Sequence, residues 1–266
     1  VARTSIEWTE RPRPDGSLMP GYTFNAWWGC LEAGPECDRC YARTFAHRLG
    51  LELWGANAPR RPASEAYWRE PEKWNRKAAA ASEHHLVFCQ SMSDVLENRR
   101  DLDPLRARLW DLIERTPSLI WLLLTKRPGR YATAVPDGWL AGGAPANVWA
   151  GTTCGTQHTA DVNVALLQKS AFWARVRFLS MEPLLERTRL AGAVVPGGAR
   201  IGWVIAGSET GHGARVTDRA WVRSLRDECQ DAGAAFYWKQ DAARGRPISR
   251  PELDGRQWLE FPAVAA

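Results

Sequence analysis

L-I-W-L-L-L-T-K-R-P occupies residues 119–128 of this 266-residue chain. Its first six residues are all apolar, with neither the alternation of a half-buried strand nor the three-to-four spacing of an amphipathic helix. A short run of this kind reads as a strand covered on both faces, the habit of parallel sheets. The run then breaks abruptly into Thr125, Lys126 and Arg127. Six further segments share the pattern: TFNAWWG (23–29), HLVFCQ (85–90), NVWAGT (147–152), RFLSM (177–181), GWVIAG (202–207) and AAFYWKQ (234–240).

Helical patterns fall between these runs. Residues 41–49 follow a cysteine-rich loop, and residues 70–82 open with Pro71, a residue suited to a first helical turn. Residues 101–116 carry Leu102, Leu105, Leu109, Leu112 and Ile113 on one stripe. Asp161 to Phe172 and Asp218 to Asp231 complete the set, the last with Asp218 as N-cap and Gly233 just past its end. Strands alternating with helices imply parallel pairing through right-handed crossovers. The expectation is an α/β fold, a partial or closed parallel β/α barrel of about seven strands resembling a TIM barrel. A doubly wound open sheet is the alternative. The chain reads as a single domain over 1–266, with a loop-rich insertion at 51–69 and a tail at 241–266 packing across the barrel.

The chain is 45% hydrophobic, ample for a large core, yet no apolar run approaches the roughly 20 residues that span a bilayer. The opening V-A-R-T-S-I-E-W-T-E has no apolar signal region, so the expected setting is cytoplasmic and reducing, with no membrane partner. A net charge of +5, with arginine supplying 30 of 35 basic residues, admits an anionic partner such as nucleic acid. No basic run is dense enough to decide between that and compositional bias.

In parallel α/β folds, chemistry sits beyond the carboxyl ends of the strands. There stand Ser91, Ser93 and Asp94; Thr125, Lys126 and Arg127; Thr152 and Thr153; Ser180 and Glu182; Gly207, Ser208, Glu209 and His212; and Lys239 and Gln240. The first run is followed by A-W-W-G-C-L-E-A-G-P-E-C-D-R-C-Y-A (26–42), whose thiols Cys30, Cys37 and Cys40 are spaced C-x6-C-x2-C. Three thiols suit a zinc site with a fourth ligand, for which His47 is the candidate, or an iron–sulfur cluster with one open iron. A disulfide with a spare thiol is a third reading, disfavoured in a reducing compartment. The glycine-rich G-S-E-T-G-H-G (207–213) is a weaker candidate phosphate cradle, matching no nucleotide fingerprint. Cys89 and Cys229 read as packing thiols, and Cys154 lies just past its strand. His84 and His85 precede their strand, at the end away from the site.

The G-C-x6-C-D-R-C-Y-A-R loop resembles the cluster loop of radical S-adenosylmethionine (SAM) enzymes, many of which read C-x3-C-x2-C. The whole chain resembles a phage-associated, three-cysteine-motif family of unknown function. The similarity rests on S-I-E-W-T-E, W-W-G-C, C-D-R-C-Y-A, S-M-S-D, L-L-T-K-R-P, N-V-W-A-G-T, R-F-L-S-M-E-P-L-L, W-V-I-A-G-S-E-T-G, W-V-R-S-L-R-D-E-C and L-D-G-R-Q-W. The resemblance implies a radical-SAM-like iron–sulfur protein. Cys30, Cys37 and Cys40 would ligate a 4Fe–4S cluster, with SAM on the open iron. Tyr41 would lie near the adenine, and Ser91, Ser93 and Asp94 near the methionyl amine. Thr152 and Thr153 would meet the ribose or carboxylate, and the backbone at Gly207 and Ser208 would approach the adenine. Lys126, Arg127, Glu182 and Glu209 remain for the substrate, a nucleobase or nucleic acid by analogy, or for the SAM carboxylate. A flavodoxin- or ferredoxin-type electron donor would be a partner. The rival expectation is a zinc-stabilised nucleic-acid- or partner-binding phage protein without catalysis.

Overall fold

A computed structural model describes residues 4, 6–194, 201–243 and 246–263. The elements run β1 (Tyr22–Phe24), β2 (Trp27–Trp28), α1 (Tyr41–Arg48), β3 (Arg61–Pro62), α2 (Glu65–Trp68), α3 (Glu70–Ala80), β4 (His85–Cys89), α4 (Asp103–Glu114), β5 (Leu119–Thr125), α5 (Tyr131–Ala134), β6 (Val148–Thr153), α6 (Gln157–Ser170), β7 (Val176–Met181), β8 (Ile201–Gly207), α7 (Arg219–Ala232), β9 (Ala235–Ala243), β10 (Arg246–Ser249), β11 (Glu252–Leu253) and β12 (Arg256–Gln257).

One curled sheet runs in the order β1-β4-β5-β6-β7-β8-β9-β10. Every pair from β1 to β9 is parallel, and only β10 reverses, against β9. The order follows the chain with no reversal point, which rules out the doubly wound alternative. The sheet is a half-barrel; β1 and β10 are its edges and do not meet. Closure through β10 is blocked by its chemistry: all four residues are exposed, and Pro247 cannot donate to a further ladder.

Period-two alternation sorts the strand residues onto two faces. The convex face, under the helices, carries Val87, Cys89, Trp121, Leu123, Val148, Ala150, Leu179, Val204, Phe236 and Trp238 in one core. The concave face carries Leu86, Phe88, Ile120, Leu122, Trp149, Phe178, Trp203, Ile205 and Tyr237 in a second core. The chain itself fills the hollow. Trp8, from the single turn Glu7–Thr9, stands 4.8 Å from the Phe88 ring and 6.0 Å from Trp203. From the tail, Leu259 and Phe261 pack on the same core. The amino end of the hollow is therefore an aromatic plug, and the carboxyl end stays open.

Two sequence expectations shift. The first run is not one strand: β1 pairs with β4, while β2 turns away to pair with β3 inside the 51–69 insertion, which also holds α2. The break falls at Asn25 and Ala26. Asn25 Oδ1 accepts from Met92 N at 2.8 Å, and Ala26 N donates to Gln90 Oε1 at 2.8 Å, so side chains replace the ladder there. Helix α6 begins four residues before Asp161, because Thr156 and Thr159 form a reciprocal capping box. The expected N-cap of α7 holds: Asp218 accepts from Ala220 N, and Gly233 closes the helix in the left-handed region.

Candidate functional site

Above the aromatic plug, at the carboxyl ends of the strands, lies a cavity of about 430 Å³ with Trp8 and Phe88 in its lining. That is the size of a small-molecule site. Cys30, Cys37, Cys40, Tyr41, Ser91, Ser93, Asp94, Lys126, Arg127, Thr153, Glu182, Ser208 and Glu209 all line it. Thr152 and Gly207 do not. Thr152 is fully buried, its hydroxyl donating to Thr125 O at 2.9 Å. A Cβ on Gly207 would stand 3.0 Å from Glu182 Cδ, so Gly207 gives its space to the Glu182 side chain.

The cysteine loop is tied across the mouth of the half-barrel at three points. Gly29, at φ +105°, makes the turn that starts it; a Cβ there would strike Leu53 O at 2.5 Å. Beside Cys30, Arg127 Nη2 donates to Leu31 O at 2.6 Å, joining the loop to the end of β5. Midway, Glu36 is buried; its Oε1 accepts from Gly155 N and Thr159 Oγ1, both at 2.7 Å. That places a carboxylate at the amino end of α6, where the helix dipole favours it. Between Cys37 and Cys40, Arg39 Nη1 lies 3.5 Å from Glu209 Oε2. Arg215 donates from N and Nε to the same oxygen at 2.8 and 3.0 Å, and reaches Asp38 Oδ2 and Pro35 O at 3.3 Å. Burial alone would raise the Glu209 carboxyl, but the Arg215 hydrogen bonds and the Arg39 charge outweigh it and hold it below its usual range. The six residues between Cys30 and Cys37 thus form the span that carries the loop from β5 to α6.

The other acidic groups are also engaged. Asp94 accepts from Thr125 Oγ1 at 2.7 Å and from Leu96 N, Lys126 N and Arg127 Nη1 at 2.9 Å. Glu182 Oε1 accepts from Lys239 Nζ at 2.6 Å and Gln240 Nε2 at 2.9 Å. Among the hydroxyls, Ser93 donates to Trp27 O and Ser91 shares a hydrogen bond with Asn25. Ser208 Oγ is 3.3 Å from Asp241 Oδ1, and Tyr41 donates to Ser91 O at 2.8 Å while its ring stays exposed.

All six cysteines are free. Burial pushes the Cys30 thiol up to about 12, with Asp94 adding to the shift and Arg127 and Lys126 opposing it. Cys37 Sγ accepts from Ala33 N at 3.4 Å. Among the described residues no group of three or more His, Cys, Asp or Glu side chains is drawn together to hold a metal ion. The donor set nonetheless fits an iron–sulfur cluster in kind: three soft thiols from one loop share one cavity, and binding a metal would deprotonate them. His47 lies elsewhere. It lines a neighbouring cavity with Arg48, Glu52 and Trp54, its Nε2 3.4 Å from Glu52 Oε1. His212 is not in the lining of the cysteine cavity.

Three residues of the site escaped sequence reading. Glu36 and Arg215 act across more than a hundred residues of chain, and nothing local marks them. Gln90 directly follows β4, so the rule that strand ends face the site already pointed to it. Gln90 is buried, sits at φ +66°, and leaves its Nε2 without a partner among the described residues.

The chain belongs to the family described as protein of unknown function (DUF5131), whose model matches residues 3–262. No curated protein and no solved structure matches it. No helix among the described residues is long and apolar enough to cross a membrane.

Proposed function

We propose that this chain is a radical-SAM-like iron–sulfur protein, with Cys30, Cys37 and Cys40 holding a 4Fe–4S cluster and S-adenosylmethionine binding beside it. The observation that carries the reading is the placement of the three loop thiols in one cavity with the polar strand ends. The remaining cysteines offer no fourth ligand: Cys89, Cys154 and Cys229 are fully buried, and burial pushes each thiol far up. Three ligands leave one iron open to a cofactor.

Bound together, cluster and SAM supply one-electron chemistry that removes hydrogen from a substrate. The chain's own residues do the rest. Arg127, Glu36 and the Glu209–Arg215 pair hold the loop across the mouth. Trp8 and Phe88 form a floor that excludes water from the amino side. Lys239 and Glu182 face the cavity as an ion pair at 2.6 Å, able to orient a polar group between them. A flavodoxin- or ferredoxin-type electron donor and a substrate complete the reading.

Anaerobic reconstitution with iron and sulfide tests it. Broad visible absorbance, about four irons per chain, and deoxyadenosine release with SAM and dithionite are expected. Cys30→Ser, Cys37→Ser and Cys40→Ser should each lose the colour, while Cys89→Ser keeps it. A colourless chain binding one zinc would sink the reading and favour a zinc-stabilised binding protein.

A further inference from the structure

The carboxylates of the cavity already have protein donors. Asp94 is matched by Arg127 and two backbone amides beyond Thr125, Glu182 by Lys239 and Gln240, Glu209 by Arg215, Glu36 by Gly155 and Thr159, and Glu32 by Arg43. The donors are not all matched. Lys126 lines the cavity, and its ammonium has no hydrogen bond or ion pair among the described residues. Gln90 also lines it, only 3% exposed. Its Oε1 is held by Ala26 N, so the amide cannot turn away, and its Nε2 is a buried donor with no partner among the described residues. Native structures rarely leave such a group unpaired without a ligand or water to take it. Two further hydroxyls in the lining, Thr153 and Ser180, make no side-chain hydrogen bond among the described residues.

Register places these four groups together. Cys89 pairs with Leu123, Thr125 with Thr152, and Thr153 with Ser180. Gln90 directly follows β4, and Lys126 directly follows β5. Gln90, Lys126, Thr153 and Ser180 therefore form one arc at the carboxyl ends of four adjacent strands, β4 to β7, and line the same cavity. An ammonium, an amide N–H and two hydroxyls, with no free carboxylate among them, are complementary to an oxyanion.

We infer that this arc is an oxyanion subsite, and that the substrate entering the cavity carries a carboxylate or phosphate group. The inference depends on the proposed function only in taking this cavity as the substrate's site. Subsite and cluster are tested by different signals, so either can fail alone.

The test is acylation footprinting of the full-length chain by mass spectrometry, with inorganic phosphate and acetate as separate probes. Lys126 labelling should slow about tenfold at a probe concentration about nine times its Kd. Lys169, on α6 outside the cavity, should label at an unchanged rate. Whichever probe protects more strongly identifies the oxyanion as phosphate or carboxylate. Gln90→Glu keeps the acceptor for Ala26 N but aims a carboxylate oxygen at the anion; it should abolish protection while leaving the unfolding midpoint near wild type. If Gln90→Glu fails to fold, Gln90→Met supplies the same readout. Protection should persist with SAM present. Unchanged Lys126 labelling with both probes would overturn the inference. So would equal protection of Lys169, or displacement of the probes by SAM, which would give the arc to the cofactor.

Discussion

Glu97→Ala removes one half of the most deeply buried ion pair among the described residues and reaches the cysteine loop from behind. Arg60 and Glu97 have side chains only 1% exposed, joined through Nε–Oε2 at 2.9 Å and Nη2–Oε1 at 2.5 Å. Arg60 also donates to the carbonyls of Leu53, Gly55 and Ala58 at 3.0, 3.1 and 2.8 Å. Gly55 N in turn donates to Cys30 O at 3.0 Å. The pair thus folds the insertion against the Cys30 backbone. Removing the carboxylate strands a guanidinium in a dry site with only backbone carbonyls, at a cost of about 3–5 kcal/mol. That is a large share of the roughly 5–15 kcal/mol that holds a domain together. Replacing both groups by apolar residues of similar size removes the stranded charge, so Arg60→Met with Glu97→Leu should recover most of the loss. Equilibrium urea unfolding measures the stability, and the alkylation rate of Cys30 in native buffer reports the local effect. Glu97→Ala should speed alkylation several-fold by loosening residues 53–58. A single-variant cost below about 1 kcal/mol, the range of an exposed pair, would refute the reasoning. A double variant as unstable as the single would refute it equally.

Arg215→Ala should loosen the far end of the cysteine loop. Glu209 is 4% exposed at its side chain and would keep only Arg39, so the expected cost is about 1.5–3 kcal/mol; cleavage within residues 31–39 under limited proteolysis should rise, and an unchanged digest would count against the clamp. Glu83 predicts acid sensitivity at the opposite end of the half-barrel. Hydrogen bonds from Arg13 and then His85 hold its carboxyl down to about 2. A folded value below the unfolded one of about 4.3 means the contribution is present above that pH and fades as pH falls toward the folded value. Glu83→Gln should therefore flatten the acid limb of a melting-temperature profile and leave the limb above pH ~6 nearly parallel to wild type; an acid limb as steep as wild type would dismiss this pair as its source.

The legible parts of the fold were those set by local pattern. Leu119–Thr125 declared a strand buried on both faces, and it is a central strand with helices on one side and an aromatic plug on the other. Asp218 and Gly233 marked the ends of α7 because capping and left-handed closure are properties of single residues. What local pattern could not supply was closure. Neither Pro247 nor Trp8 announces in sequence that one ends the sheet and the other fills its hollow. At the site, chain order alone brought the strand-end residues to one list, and the structure brings most of them to one cavity. It also shows which are engaged. Asp94 and Glu209, expected from the resemblance to meet cofactor or substrate, are held by Arg127 and Arg215, whereas Gln90 drew no notice and has a donor unpaired among the described residues.

By itself, then, the sequence determined the alternation of strands and helices, the end of the sheet where chemistry gathers, and the three thiols that gather there. These follow from hydrophobic period, capping chemistry and residue type, all read within a few positions. Only the tertiary structure decided that the barrel stays open, that the wide C-x6-C arm is a strap tied to β5, α6 and β8, and that donors without partners among the described residues line the ends of β4 to β7. Those depend on which groups meet across long stretches of chain, and pairing at a distance leaves no local trace.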